Sequence, residues 1–176
     1  MRKVFLSFLG TNDYLPCNYR IAGQDPVGNV RFVQEACIAR WCVDWGSDDR
    51  IFLCVTDESH AKNWLDNGHR DRAENILERQ GLASRLESLH LAAPVKSVMV
   101  PAGRSEEEIW NIFEQVFSLL EEGDQLYLDI THAFRSLPML AMVILSYAKV
   151  MRTISVRAIS YGALEALGNI GVVTKM

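Results

Sequence analysis

The sequence predicts an α/β domain built on a largely parallel sheet. Three observations carry that expectation: short apolar runs recur along the chain, helix-like segments separate them, and polar clusters follow the first, fourth and fifth runs. A continuous apolar run is what a strand buried on both faces requires, and strands separated by helices return in parallel through right-handed crossovers. In such sheets the ligand crevice lies beyond the carboxyl ends of the strands, so a strand map is also a site map.

The first strand is expected in KVFLSFL (3–9), ending at Gly10. GTNDYLPCNYR (10–20) then opens a loop of about twenty residues before the first helix, a length uncommon in compact domains unless the loop has a task. Gly10 permits close backbone approach, Thr11 and Asn12 offer short donors, and Tyr14 and Tyr19 offer flat faces on which a base can stack. The same residues would also make an ordinary loop with its own turns. In segment 30–45, Val30, Val33, Cys37, Trp41 and Trp45 share one face of a helix, a pattern of core packing.

RIFLCVT (50–56) is the second strand, with Asp57 and Glu58 at its rim as solvated acids. The polar stretch 61–91 reads as one or two surface helices broken at Gly68 and Gly81, with His69 and His90 at the surface or edge. VKSVMV (95–100) is the third strand. Ser105 and Glu108 then form a capping box, Glu106 and Glu107 suit the positive end of the helix dipole, and Gly123 stands as the residue after the helix.

QLYLDI (125–130) is the fourth strand and runs into DITHAFRS (129–136). Pro138 suits a first-turn position, so the next helix begins near Ser136 or Leu137. The polar cluster has two readings. Asp129 or Thr131 caps the helix and the rest is turn, or the cluster is a floor for an anion. In the second reading Arg135, Ser136 and free first-turn amides meet a phosphate, with Thr131 and His132 at the strand exit. TISVRAISY (153–161) is the fifth strand, and Tyr161 and Gly162 close the same crevice, with Glu165 just beyond.

Composition narrows the function classes. The 176 residues suffice for one domain, 1–176, with 49% hydrophobic and 23% charged residues, as in an ordinary globular chain. No apolar run approaches the ~20 residues of a membrane span, and the start is too short for a signal peptide, which favours a cytoplasmic address. Cys17, Cys37, Cys42 and Cys54 form no C-x-x-C pair and read as buried thiols. A net charge of −4 argues against coating long nucleic acid but leaves room for a small anion held by a few local donors. G-x-G-x-x-G, G-x-x-x-x-G-K-[ST] and G-x-S-x-G are absent, and His132 with Asp129 supplies only two metal ligands, so neither a cofactor nor a metal is expected.

FLGTNDY, DITHAFRSLP and YGALEA resemble the three signatures of the CRISPR-associated DxTHG-motif proteins, whose N-terminal domain is a CARF (CRISPR-associated Rossmann fold) domain. The resemblance spans nearly the whole chain. It implies a Rossmann-like three-layer domain with a mainly parallel central sheet. It further implies a homodimer sharing one pocket for cyclic tetra- or hexa-adenylate, the second messenger of type III CRISPR antiviral defence. The ligand-binding residues it implies are Gly10, Thr11, Asn12 and Tyr14 in the first loop and Thr131, His132, Ala133, Phe134, Arg135 and Ser136 in the second, with Tyr161 and Gly162 beside them.

Two functions follow from the resemblance. One is a sensor that allosterically controls an effector. The other is a metal-independent ring nuclease yielding linear products with a 2′,3′-cyclic phosphate, in which Ser136, Arg135, His132 and Thr11 would be catalytic. Ala133 stands where the motif has Gly, which alters the site if that position needs positive φ or close ligand approach. No R-x-x-x-x-H ribonuclease signature follows, so the chain is either an excised sensor domain, with its effector elsewhere, or a stand-alone protein.

Overall fold

The computed structural model describes residues 1–19, 26–131 and 137–162, with 137–142 described by their backbone alone. In chain order the elements are β1 (Lys3–Phe8), a hairpin of β2 (Cys17–Tyr19) and β3 (Val27–Val30), α1 (Val33–Trp41), β4 (Arg50–Val55), and α2 (Asp57–Ser59) running into a π-helical turn (His60–Trp64). There follow α3 (Leu82–Glu87), β5 (Val95–Met99), α4 (Glu106–Ser118), β6 (Gln125–Asp129), α5 (Leu137–Met151) and β7 (Ser155–Ser160).

The five expected strands form one sheet in the order β5-β4-β1-β6-β7, parallel at every pairing. From β1 the chain lays down β4 and β5 on one side, then returns to lay β6 and β7 on the other. Successive side chains of a strand point to opposite faces, and each face here has its own core. Val4, Leu6, Phe8, Leu126 and Leu128 pack with Ile112, Val116, Ile144 and Ala148 of α4 and α5. Phe5, Leu9, Ile51, Leu53 and Val55 pack with Val33, Cys37 and Ile38 of α1 and with Leu82 and Leu86 of α3. The result is the expected three-layer, Rossmann-like α/β arrangement.

The local differences from expectation have local causes. Val30, Val33, Cys37 and Trp45 are buried and Trp41 packs against them, as the helical spacing implies, but the helix itself covers only Val33–Trp41. Val30 pairs with Cys17 in the hairpin, and Trp45 N–H donates to the Cys42 carbonyl in a turn. The hairpin strands are three and four residues long, too short for a hydrophobic period to register.

In the polar stretch, α2, the π-helical turn and α3 flank an irregular excursion, held by a Arg70–Ile76 bridge and by Asp71 accepting from the amides of Ala73 and Asn75. The helical run ends at Trp64, before the expected break at Gly68, where a Cβ would lie 2.2 Å from the Ala61 carbonyl oxygen; Gly81 is the residue before α3. At α4 the Ser105 hydroxyl accepts from Glu108 N–H at 3.2 Å, while the Glu108 carboxylate reaches one residue further and accepts from Arg104 N–H at 2.7 Å. The helix stops at Ser118, before the expected Gly123, whose amide instead donates to the Arg152 carbonyl.

All four cysteines are free thiols, three of them buried. Burial pushes the Cys54 thiol up to about 12, so it stays protonated and inert. No helix among the described residues is long and apolar enough to cross a membrane, and no group of three or more His, Cys, Asp or Glu among them could hold a metal.

At the amino ends of the strands, Arg2 closes the fold. Its guanidinium donates to both carboxylate oxygens of the buried Asp124, at 3.0 and 2.6 Å, to Glu121 at 2.5 Å and to the Leu119 carbonyl at 3.0 Å. The hydrogen bond to Asp124 holds the guanidinium above its ordinary value. Replacing Arg2 by Ala strands a buried carboxylate, and Arg2→Ala is expected to cost about 3 kcal/mol in urea denaturation. A loss below about 1 kcal/mol, the scale of a surface pair, would contradict this account.

Candidate functional site

The order of strands reverses between β1 and β6. Beyond β1 the chain passes to α1 on one face, and beyond β6 it passes to α5 on the other. Connections that diverge in this way mark the carboxyl edge of the sheet as the place for a ligand crevice. The described residues at that edge are the loop after Leu9, Ile130 and Thr131 after β6, and Tyr161 and Gly162 after β7.

The floor is organised around Asp129, which is fully buried and which no cation pairs with among the described residues. Hydroxyls satisfy it instead. Ser7 of β1 donates to Oδ2 at 2.6 Å, Ser160 of β7 donates to Oδ1 at 3.1 Å, and Thr131 donates to Oδ1 through its hydroxyl at 2.5 Å and its amide at 3.3 Å. The Cys37 thiol of α1 lies 3.5 Å from Ser160 Oγ; burial first, and then the Asp129 charge, push it up to about 12, so it remains a donor. Thr131 Oγ1 also accepts from Gly162 N–H at 2.8 Å, which ties the exit of β7 to that of β6. A Cβ on Gly162 would meet Thr131 Cγ2 at 3.0 Å and Val33 Cγ2 at 3.2 Å, a tight fit in which the neighbouring side chains would have to give way.

The first loop is held from behind by two buried side chains distant in sequence. Asn63, on the π-helical turn, donates through Nδ2 to the carbonyls of Gly10 and Asn12, both at 2.9 Å. Its Oδ1 accepts from His69 Nε2 at 2.9 Å and from Arg31 at 3.4 Å. Arg31 also donates to the carbonyls of Tyr14 at 2.9 Å and Gln80 at 2.8 Å, and pairs with Asp13 at 3.3 Å, where Arg79 joins it. Glu35 accepts from Arg31 N–H and is clamped by Arg85 at 2.6 and 2.9 Å, fixing α1 to α3.

The structure brings Gly10, Thr11, Asn12, Thr131, Tyr161 and Gly162 to the same edge of the sheet. Tyr14 is different: its ring is buried and meets Phe32 edge-to-face at 5.9 Å, so it offers no open face of the kind expected of it. Burial pushes the Tyr14 hydroxyl up to about 12, opposed by a hydrogen bond with the Asn12 backbone. Tyr19 likewise packs on the core, its hydroxyl raised by burial. Tyr161 by contrast is 61% exposed at the rim. His132, Ala133, Phe134, Arg135 and Ser136, and Glu165 with them, lie outside the described residues.

A cavity of about 580 Å³ also opens at the ends of β4 and β5, lined by Thr56, Asp57, Glu58 and Glu108 among others. Its helix starts are already capped by Thr56 with Ser59 and by Ser105, and the carboxylates of Asp57, Glu58 and Glu108 outnumber the one guanidinium of Arg104, so its charge opposes an anion. Sequence reasoning missed Asn63 and Arg31, because an interior Asn in a polar segment and a lone Arg before a helix carry no local signal of their partners.

Residues 4–165 match the profile of the family described as CRISPR system endoribonuclease Csx1, CARF domain. The chain is also 35% identical over 207 aligned positions to the CRISPR-associated protein MJ1674 of Methanocaldococcus jannaschii, an alignment covering 97% of this chain and 33% of that protein. The chain thus spans about a third of the length of the curated relative it matches.

Asp129→Ala would leave three hydroxyls without their acceptor and is expected to destabilise the protein by about 3 kcal/mol, whereas Thr131→Val is expected to cost about 1 to 2 kcal/mol. Thermal and urea denaturation of the two variants check this. Equal small losses would show that the network is dispensable.

Proposed function

The chain belongs to the CARF-domain family of the CRISPR system endoribonuclease Csx1, and from that premise we propose that it senses a cyclic oligoadenylate, tetra- or hexa-adenylate, in type III CRISPR antiviral defence. The ring binds in the crevice at the strand reversal, in a pocket shared by two copies of the chain, and controls an effector outside these residues.

The observation that supports this reading is the convergence, among the described residues, of the loop after β1, Asp129 to Thr131 and Tyr161 to Gly162 at one edge, with Ser7 opposite Asp129 in the sheet and Thr131 bonded to Gly162. The ligand is a ring of phosphates and adenines. Phosphates suit Thr11, Asn12 and, beyond the described residues, Arg135 and Ser136 at the start of α5. An adenine suits the exposed ring of Tyr161.

The two-fold arrangement is supported by α5 itself. Val143, Tyr147, Val150 and Met151 are exposed and recur along one face of the helix, and Phe113 and Phe117 of α4 extend that face through ring contacts with Tyr147 at 5.6 and 5.1 Å. Apposing two such stripes about a two-fold axis that runs along the helices would set two copies of the α5 N-terminus, and so two crevices, side by side.

Isothermal titration with cyclic tetra- and hexa-adenylate tests the reading, with the ring recovered afterwards. One intact ring per two chains is the expected result; absence of binding to either ring would overturn it, and multiple-turnover linear product would make the chain a ring nuclease. Arg135→Ala is expected to weaken binding by about 1.5 to 3 kcal/mol, the scale of a charge-assisted hydrogen bond. Tyr147→Glu is expected to yield a monomer in analytical ultracentrifugation and to lose ring binding with it.

A further inference from the structure

We propose that Asn63 is the positioning residue of the crevice: by drawing the carbonyls of Gly10 and Asn12 inward, it turns the amide N–H groups of Thr11 and Asp13 outward as phosphate donors. The inference rests on the reading of the crevice as a cyclic oligoadenylate site, and names the groups through which the first loop acts.

The geometry follows from the planarity of the peptide bond. No cis peptide is present among the described residues, and in a trans peptide the C=O and the following N–H point in opposite directions. The Gly10 and Asn12 oxygens both lie 2.9 Å from Asn63 Nδ2, inside the protein. The N–H groups of Thr11 and Asp13 belong to those same two peptide planes and therefore face away from the core. No described residue accepts from either amide, while the intervening Asn12 backbone is hydrogen-bonded to Tyr14. Asn12 and Asp13 are exposed and Thr11 half-buried, so the outward side of the loop is open.

Asn63 itself has no freedom to turn. It is fully buried, both Nδ2 protons are donated to the loop, and Oδ1 accepts from His69 and Arg31. With Nδ2 fixed by two carbonyls, His69 must carry its proton on Nε2 to donate to Oδ1, and burial holds that imidazole below its ordinary value. A carboxylate in place of the amide would face two carbonyl oxygens with no proton to offer. The local charge also favours an anion, since the guanidinium groups of Arg31 and Arg79 both meet the single carboxylate of Asp13.

The test uses the whole chain with cyclic tetra- and hexa-adenylate as probes. On ring addition the Thr11 and Asp13 amide proton resonances of the wild type are expected to move downfield. Asn63→Ala and Asn63→Asp, at a temperature where circular dichroism shows them folded, are expected to bind the ring about tenfold more weakly or worse, the loss of one well-placed hydrogen bond. A residue of merely structural worth would lower the melting temperature and leave the affinity of the folded protein unchanged. If the wild type binds but those two resonances stay in place, or if the folded variants bind as tightly as it does, the assignment of Asn63 alone is overturned. If the wild type binds neither ring, the reading of the crevice falls and this assignment with it. Should neither variant fold, the two wild-type resonances decide.

Discussion

A carboxylate removed from water must be given donors, and at Asp129 those donors come from β1, from β7 and from the turn after β6. A buried acid left unsatisfied costs several kcal/mol, so each hydroxyl that meets it is held in place by that penalty. Ser7, Thr131 and Ser160 thereby fix the carboxyl ends of β1, β6 and β7 against one another. The opposite end of β6 solves the same problem in another way: Asp124 is also buried, and Arg2 supplies a cation to it. One strand therefore ends in a charge-neutral pair on one side and in a hydroxyl cage on the other. The caged end is where the chain turns toward the crevice.

The wall of the crevice is built on a different principle from its floor. Residues 10–13 have little apolar surface with which to anchor themselves, so their order comes from side chains that reach them from behind. Asn63 and Arg31 supply five hydrogen bonds or ion contacts to Gly10, Asn12, Asp13, Tyr14 and each other. Asn63 lies on the π-helical turn and Arg31 between β3 and α1, and each is itself braced, Asn63 by His69 and Arg31 through the neighbouring Glu35–Arg85 pair. A loop held in this way presents backbone groups in fixed directions without offering a bulky side chain, which suits recognition of a ligand whose repeating feature is a phosphate.

Much of this was legible in the sequence, for reasons that differ by element. The inner strands β1, β4 and β6 appear as continuous apolar runs because both faces of the sheet are covered over them, whereas the edge strands β5 and β7 keep exposed positions at Lys96, Met99, Arg157 and Ile159 and are the less continuous runs. Ser105 and Pro138 mark helix starts through chemistry confined to a single turn. The hairpin of Cys17–Tyr19 and Val27–Val30 escaped because pairing of three or four residues leaves no period to read. Tyr14 reads as an open face in the sequence, since nothing near it in the chain tells that it will be buried against Phe32. Asn63 was illegible for the same reason at longer range: its acceptors lie 51 and 53 positions away, and only the fold brings them together. The motif residues of the candidate site thus stood out as a pattern, while the side chains that hold the first loop did not.

The rigidity of the floor bears on how occupancy of the crevice can be communicated. A ligand shifts a conformational equilibrium only as far as it favours one state over another, so some element must have two arrangements of similar energy. The sheet is a poor candidate, because moving β1, β6 or β7 at its carboxyl end would break the bonds to Asp129. α5 is better placed: on the proposed reading its first turn meets the ligand, and its exposed stripe from Val143 to Met151 forms the contact with a second copy. A helix is stiff along its length, so a change of angle imposed at its start reappears at its far end. On that same reading, a ring gripped by the first turns of two such helices would fix the angle between them, and any change on binding would fall on the packing of one α5 against the other, where apolar side chains can shift without stranding a buried charge.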